Sequence, residues 1–204
     1  MQVENYGWAG HAPGSSDYLN PAVLELALFA SGKVVLDAGC GNGELAGFLA
    51  SNGFEVTGVD ADAEGIAIAK QRFPTSEFEV ATFDSAVNFG PENGFDIAVS
   101  TEVVEHLYSP HQLARYCFDA LRPGGSLIMS TPYHGYLKNL ALAVLGRWAR
   151  HLSPNWHGGH IKFWDRASLT TLLDEAGFVV TGFRGVGRVP YLWKSMILIA
   201  QKPD

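Results

Sequence analysis

The stretch Val34-Val35-Leu36-Asp37-Ala38-Gly39-Cys40-Gly41-Asn42-Gly43 constrains this chain more than any other. Val34 to Leu36 form a continuous apolar run, the pattern of a strand buried on both faces of a parallel sheet. Three glycines at alternate positions follow, and then a helical pattern over 44–51. A strand, a tight glycine loop and a helix start let backbone approach a bound ligand closely. The spacing is G-x-G-x-G, not the G-x-G-x-x-G of dinucleotide sites. Asp37 closes the strand before the first glycine. A carboxylate there repels a pyrophosphate and suits an ammonium group. A second acid, Asp60, ends the next apolar segment, 55–59, at about the twenty-residue interval of a ribose-binding acid. The ligand described by these acids has an amine and a ribose and lacks a pyrophosphate.

The rest of the chain alternates. Strand patterns at 34–36, 55–59, 78–81, 95–100 and 126–130 are separated by helical patterns at 44–51, 63–72 and 103–121, the last with a break at Pro110. This order predicts a parallel α/β sheet with helices on both faces. Asn20-Pro21 reads as the N-cap and first residue of an earlier helix. Segments 178–183 and 197–201 read as a closing strand pair, and Asp165 and Gly177 bracket a last helix. Between the fifth strand and that helix lies an insertion, 133–165. Its apolar residues Leu137, Leu140, Ala141, Val144, Leu145 and Trp148 recur at helical spacing, and Lys138, Arg147 and Arg150 fall off that stripe. Two accounts stay open: a helix packed over the substrate cleft as a lid, or an apolar face meeting lipid beside cations that meet anionic head groups.

Residues 34–62, continuing through Phe95-Asp96-Ile97-Ala98-Val99 and Leu121-Arg122-Pro123-Gly124-Gly125, resemble class I S-adenosylmethionine-dependent methyltransferases. S-adenosylmethionine has the amine and the ribose inferred above. The resemblance implies a Rossmann-like, mostly parallel seven-stranded sheet with an antiparallel last strand. It implies that Asp37 and the loop Gly39-Cys40-Gly41 hold the methionine part. It also implies that Asp60, with Ala61, takes the ribose, that Asp84 after Phe83 accepts the adenine amino hydrogen, and that Thr101 lies near the methyl group. Asp62 reads instead as a helix cap.

The segment Thr101-Glu102-Val103-Val104-Glu105-His106 follows the fourth strand. If it is helical, Glu102, Glu105 and His106 share one face. Such a set can provide a general base or bind a divalent cation. E-V-V-E-H resembles the pattern shared by ubiquinone-biosynthesis O-methyltransferases and small-RNA 2′-O-methyltransferases. In the latter it implies metal ligands, here Glu102, Glu105 and His106 with His160 from a later segment, and Mg²⁺ as the ion. The segment order is more like that of the ubiquinone enzymes. The expected catalytic base is His106, oriented by Glu102 or Glu105. His134 and His157 stand in reserve.

The 204 residues and formal net charge of −7 suit a single domain, 1–204, with no basic nucleic-acid footprint. Two cysteines, one in the glycine loop and one in a helical pattern, make a disulfide framework improbable. No basic-then-apolar leader opens the chain and no apolar run approaches the roughly 18 residues that span a bilayer, so a cytoplasmic location is expected. The opening segment 1–16 carries Tyr6, Trp8 and His11 among glycines and is expected to close over the ligand with Tyr18. The expected partner is a small-molecule acceptor methylated on a hydroxyl oxygen, with peripheral membrane contact as an option and the oligomeric state open. The rival functions are RNA 2′-O-methylation and cofactor binding without catalysis.

Overall fold

The computed structural model describes residues 14–152, 155 and 159–204. The expectations attached to Tyr6, Trp8, His11 and His157 lie outside the described residues. The element order is α1 (Ser16–Phe29), β1 (Val34–Ala38), α2 (Glu44–Ser51), β2 (Glu55–Asp60), α3 (Ala63–Arg72), β3 (Glu77–Val80) and β4 (Phe95–Thr101). A 3₁₀ turn (Val104–His106), α4 (Pro110–Ala120), β5 (Leu121–Pro132), α5 (Tyr136–Val144), α6 (Trp148–Leu152), α7 (Arg166–Glu175), β6 (Val179–Val186) and β7 (Ser195–Gln201) follow. The seven strands form one sheet in the order β3-β2-β1-β4-β5-β7-β6. β1 pairs in parallel with β2 and β4, and β7 runs antiparallel between β5 and β6.

The apolar runs become the central strands because helices cover both sheet faces. Leu36, Ala98, Leu127 and Leu198 belong to one core cluster, and Val35, Ile97, Ile128 and Ile197 to another. Alternate residues of four neighbouring strands thus fill cores on opposite faces. Strand order reverses between β1 and β4, and in open α/β sheets that crevice, beyond the carboxyl ends of the strands, is where ligands sit.

Three local expectations are corrected or refined. α1 begins at Ser16 and carries Pro21 inside it, and Asn20 is buried. Pairing of α1 with the core outweighs the one backbone hydrogen bond that proline removes. The 103–121 pattern restarts at Pro110 as expected, but before it only Val104–His106 form a 3₁₀ turn and Leu107 is extended, and α4 ends at Ala120. In the insertion, a positive φ of 62° at Gly146 separates α5 from α6. There Leu137, Val144 and Leu145 are more than half exposed and Lys138 is buried, so the leucine stripe is left open rather than packed. Among the described residues no helix is long and apolar enough to cross a membrane.

Candidate active site

A cavity of about 420 Å³ opens at the β1–β4 switch point. Asp37, Gly39, Cys40, Asp60, Ala61, Phe83 and Thr101 all line it, together with Glu102, His106 and His160. Gly39 has a φ of +85° and packs against Val103, whose Cγ2 would lie 2.5 Å from any added Cβ. Only glycine meets both demands there. The N–H groups of Gly39 and Cys40 both donate to the Val59 carbonyl, at 2.8 and 3.0 Å, which ties the loop to β2.

Asp37 is carried into the interior by the buried strand β1 and is 1 % exposed. Its Oδ2 has no hydrogen-bond partner among the described residues. Burial, and then the charge of Asp60, push its carboxyl up to about 7. A buried acid with an orphan oxygen is what a cationic ligand group relieves. Asp60 is differently placed. Its Oδ2 accepts from the Gly41 N–H and its Oδ1 from the Asp62 N–H, both at 2.9 Å. Burial raises its carboxyl while these donors oppose the rise. Each carboxylate oxygen keeps a second lone pair, so the held carboxylate can still take a ribose hydroxyl apiece.

The acidic and histidine residues divide into two groups. Glu102 does not share a helix face with the others: its φ is +55°, an uncommon conformation for a side chain of its size. Its Oε1 accepts from Ser130 Oγ at 3.0 Å and its Oε2 from Ser195 Oγ at 3.1 Å, and Ser195 Oγ also lies 3.2 Å from Tyr18 Oη. Burial raises its carboxyl to about 7 against the pull of these hydroxyls. Glu105, His106 and His160 form the second group, with one ligand atom from each within 4.8 Å of the others. Glu105 Oε2 accepts from Thr131 Oγ1 at 3.0 Å. Its Oε1 lies 3.9 Å from His106 Nε2 and 4.0 Å from His160 Nε2. Burial, and then the charge of Glu102, raise its carboxyl well above the usual range. Burial, and then His106, lower the His160 imidazole to about 4. The His106 Nδ1 lies 3.3 Å from the Gly159 carbonyl. A carbonyl only accepts, so this bond places the proton on Nδ1 and the basic lone pair on Nε2.

A family described as a methyltransferase domain matches residues 14–182. The chain belongs to the S-adenosylmethionine-dependent methyltransferases. It is 34% identical over 161 residues to a probable S-adenosylmethionine-dependent methyltransferase of Mycolicibacterium smegmatis, covering 79% of this chain and 58% of that protein. It is 30% identical over 169 residues to the ubiquinone biosynthesis O-methyltransferase of Aliivibrio fischeri, covering 80% of this chain and 71% of the relative. The fold matches that of magnesium protoporphyrin IX methyltransferase from Synechocystis PCC 6803 with bound SAH at a TM-score of 0.67 and 20% identity, covering 90% of this chain and 82% of that one. The chain spans less than two thirds of the Mycolicibacterium relative's length.

In this methyltransferase two expected cofactor residues stand outside the cavity wall. Gly41 acts through its N–H on Asp60 rather than by lining the cavity. Asp84 is hydrogen-bonded by the Thr82 hydroxyl and faces a separate depression with His111 and Arg115. Phe83, the residue before it, lines both the cavity and that depression. Asp62 is the α3 cap, its Oδ1 accepting from the Glu64 N–H at 2.9 Å. Ser15, Ser16, Leu19 and Asn20 complete the wall from the start of α1. The sequence shows no signal for them, because α1 reaches the site only through tertiary packing. Asp60→Ala is expected to weaken S-adenosylmethionine binding by roughly 1.5–3 kcal/mol, the range for hydrogen bonds to a charged group. Titration calorimetry checks it, and equal affinities would show that Asp60 holds no part of the ligand.

Proposed function

We propose that this methyltransferase transfers a methyl group to the hydroxyl oxygen of a small acceptor, with His106 as general base. The observation that carries the reading is the imidazole of His106 on the cofactor-cavity wall, its Nδ1 against the Gly159 carbonyl and its Nε2 toward Glu105. S-adenosylmethionine, when bound, supplies a methyl group already activated on sulfonium. The chain's task is to align the acceptor oxygen, exclude water and remove one proton. Nε2 takes that proton, and the imidazolium so formed faces the buried carboxyl of Glu105. Asp37 is the residue for the ligand's ammonium, Asp60 for its ribose, and Phe83 packs against its base. The Gly159 carbonyl orients the ring of His106 from its Nδ1 side, and Glu105 lies on its Nε2 side. The O-methyltransferase name of the Aliivibrio relative supports oxygen as the target, and a formal charge of −7 weighs against an RNA acceptor.

The donor set bears on the metal reading. Mg²⁺ favours six oxygen ligands, whereas the cluster offers one carboxylate and two imidazoles, and Glu102 is turned away toward Ser130 and Ser195. The four-residue Mg²⁺ site expected from the resemblance does not fit. The set suits a borderline ion such as Zn²⁺ or Fe²⁺, which would polarise an acceptor oxygen if held by Glu105, His106 and His160. The test is methyl transfer from labelled S-adenosylmethionine to alkylated catechols, anilines and thiols, with and without a chelator. Turnover of catechols unaffected by the chelator supports the base. Loss of activity on chelation, restored by one transition ion, transfers the role to the cluster. Transfer to anilines or thiols alone would overturn oxygen as the target.

A further inference from the structure

A second cavity, of about 480 Å³, lies between α5 and the loop that joins β6 to β7. Its walls are apolar, with Leu142 and Leu145 on one side and Leu192 on the other. Its charged lining is of one sign. Lys138, Arg147 and Arg188 all line it, and no Asp or Glu does among the described residues. The three cations come from a helix, a turn and a loop some fifty positions away, so only the fold assembles them.

Lys138 is the informative residue. It is 7 % exposed and is the one buried residue of α5. Its Nζ reaches only the Lys194 carbonyl, at 3.4 Å, and no carboxylate stands within ion-pair distance among the described residues. Burial, and then Arg188, lower its ammonium to about 8, against the opposing pull of the Glu102 charge. A helix that exposes Leu137 and Val144 while burying a lysine with no carboxylate in direct contact is poorly explained by packing. An anion in the cavity, beside Lys138, Arg147 and Arg188, supplies that direct partner. Ser195, the residue after Lys194, donates to Glu102 on the wall of the cofactor cavity. A short relay of contacts, from Lys138 to the Lys194 carbonyl and from Ser195 to Glu102, thus links the second cavity to the wall of the first.

We propose that this cavity is the acceptor's second subsite and that it recognises a carboxylate or phosphate on an apolar body. This deepens the small-molecule reading above and rests on it. An acceptor so held sets its anion among Lys138, Arg147 and Arg188, lays its apolar part along the leucines, and extends its hydroxyl past Glu102 toward His106. Free acids and lipid headgroups share this chemistry, and the proposal commits to the free molecule, because the cations line a concave cavity rather than a convex surface.

The test measures binding, without turnover, on the full chain saturated with S-adenosylhomocysteine. Calorimetry with decanoate below its micellar range is expected to show saturable one-to-one binding at least tenfold tighter than decanol or inorganic phosphate. Arg188→Ala and Arg147→Ala, both at exposed positions, are each expected to weaken decanoate about fivefold or more, with unchanged melting temperature. Asp60→Ala is expected to leave decanoate affinity as it is. Equal binding of decanoate and decanol, or arginine variants that bind decanoate normally, would overturn the proposal. So would sedimentation with phosphatidylglycerol vesicles, lost in Val144→Glu, without any binding of monomeric decanoate, since the cations would then serve a membrane surface. The hydroxyl-transfer reading fails separately, through the catechol assay, whatever decanoate does.

Discussion

His106→Ala is expected to lower kcat by about 10²–10⁴, the span for losing a general base, while S-adenosylmethionine affinity stays within about threefold of wild type. The split follows from the geometry. His106 borders the cavity beside Glu105 and His160, where the proposal puts the acceptor, while the ligand's charged groups are assigned to Asp37 and Asp60. His106→Gln keeps a polar side chain without a base and is expected to match alanine in kcat. Rapid-quench turnover together with calorimetry separates the two quantities. Wild-type turnover in both variants would remove His106 from the chemistry. A parallel loss of cofactor affinity would assign it to binding instead.

The second large effect falls on Asp37. Asp37→Asn is expected to weaken S-adenosylmethionine binding by about 3–5 kcal/mol, the cost of removing one partner of a buried charge pair. The same substitution should stabilise the ligand-free protein at alkaline pH. The carboxyl is raised from 3.8 to about 7 in the fold, so the folded chain binds a proton that the unfolded chain has already released. Stability therefore falls as pH rises from about 4 through 7, by an upper bound of about 4 kcal/mol at 1.36 kcal/mol per unit. Melting temperatures at pH 5 and pH 8, without ligand, should differ less in Asp37→Asn than in wild type. In wild type, ligand affinity should climb across the same window, because the ammonium binds the ionised acid. Identical pH dependence in both proteins would show that Asp37 is not the titrating group.

Much of the fold was legible because it depends on short-range patterns. The apolar runs at 34–36 and 95–100 have no solvent-facing alternative to a doubly covered strand, and they appear as β1 and β4. The cap at Asp165 was readable for the same reason, since a capping box involves neighbours three residues apart. The periodicity of 137–148 left two accounts open because it records which residues share a face and is silent on which face turns inward. The burial of Lys138 rather than Leu145 depends on the β6–β7 loop, whose arrival no local pattern announces. Glu102 did mislead. Its spacing from Glu105 suits a helix, but hydroxyls of Ser130 and Ser195, on two other strands, hold it in a left-handed backbone conformation.

The sequence by itself determined the α/β order, the glycine loop and the two acids that close β1 and β2. Each of these is set by residues within a turn or a strand of one another, where backbone sterics and hydrophobic periodicity act without help. Tertiary structure alone decided the rest of the site: the wall that α1 contributes, the turning of Phe83 rather than Asp84 toward the cavity, and the separation of Glu102 from Glu105 and His106. It also decided the cation-lined cavity beside them. These depend on which distant segments meet at the end of the sheet, and on the low dielectric that burial creates around Asp37, Glu105 and Lys138. Neither is a property of any stretch of chain taken alone.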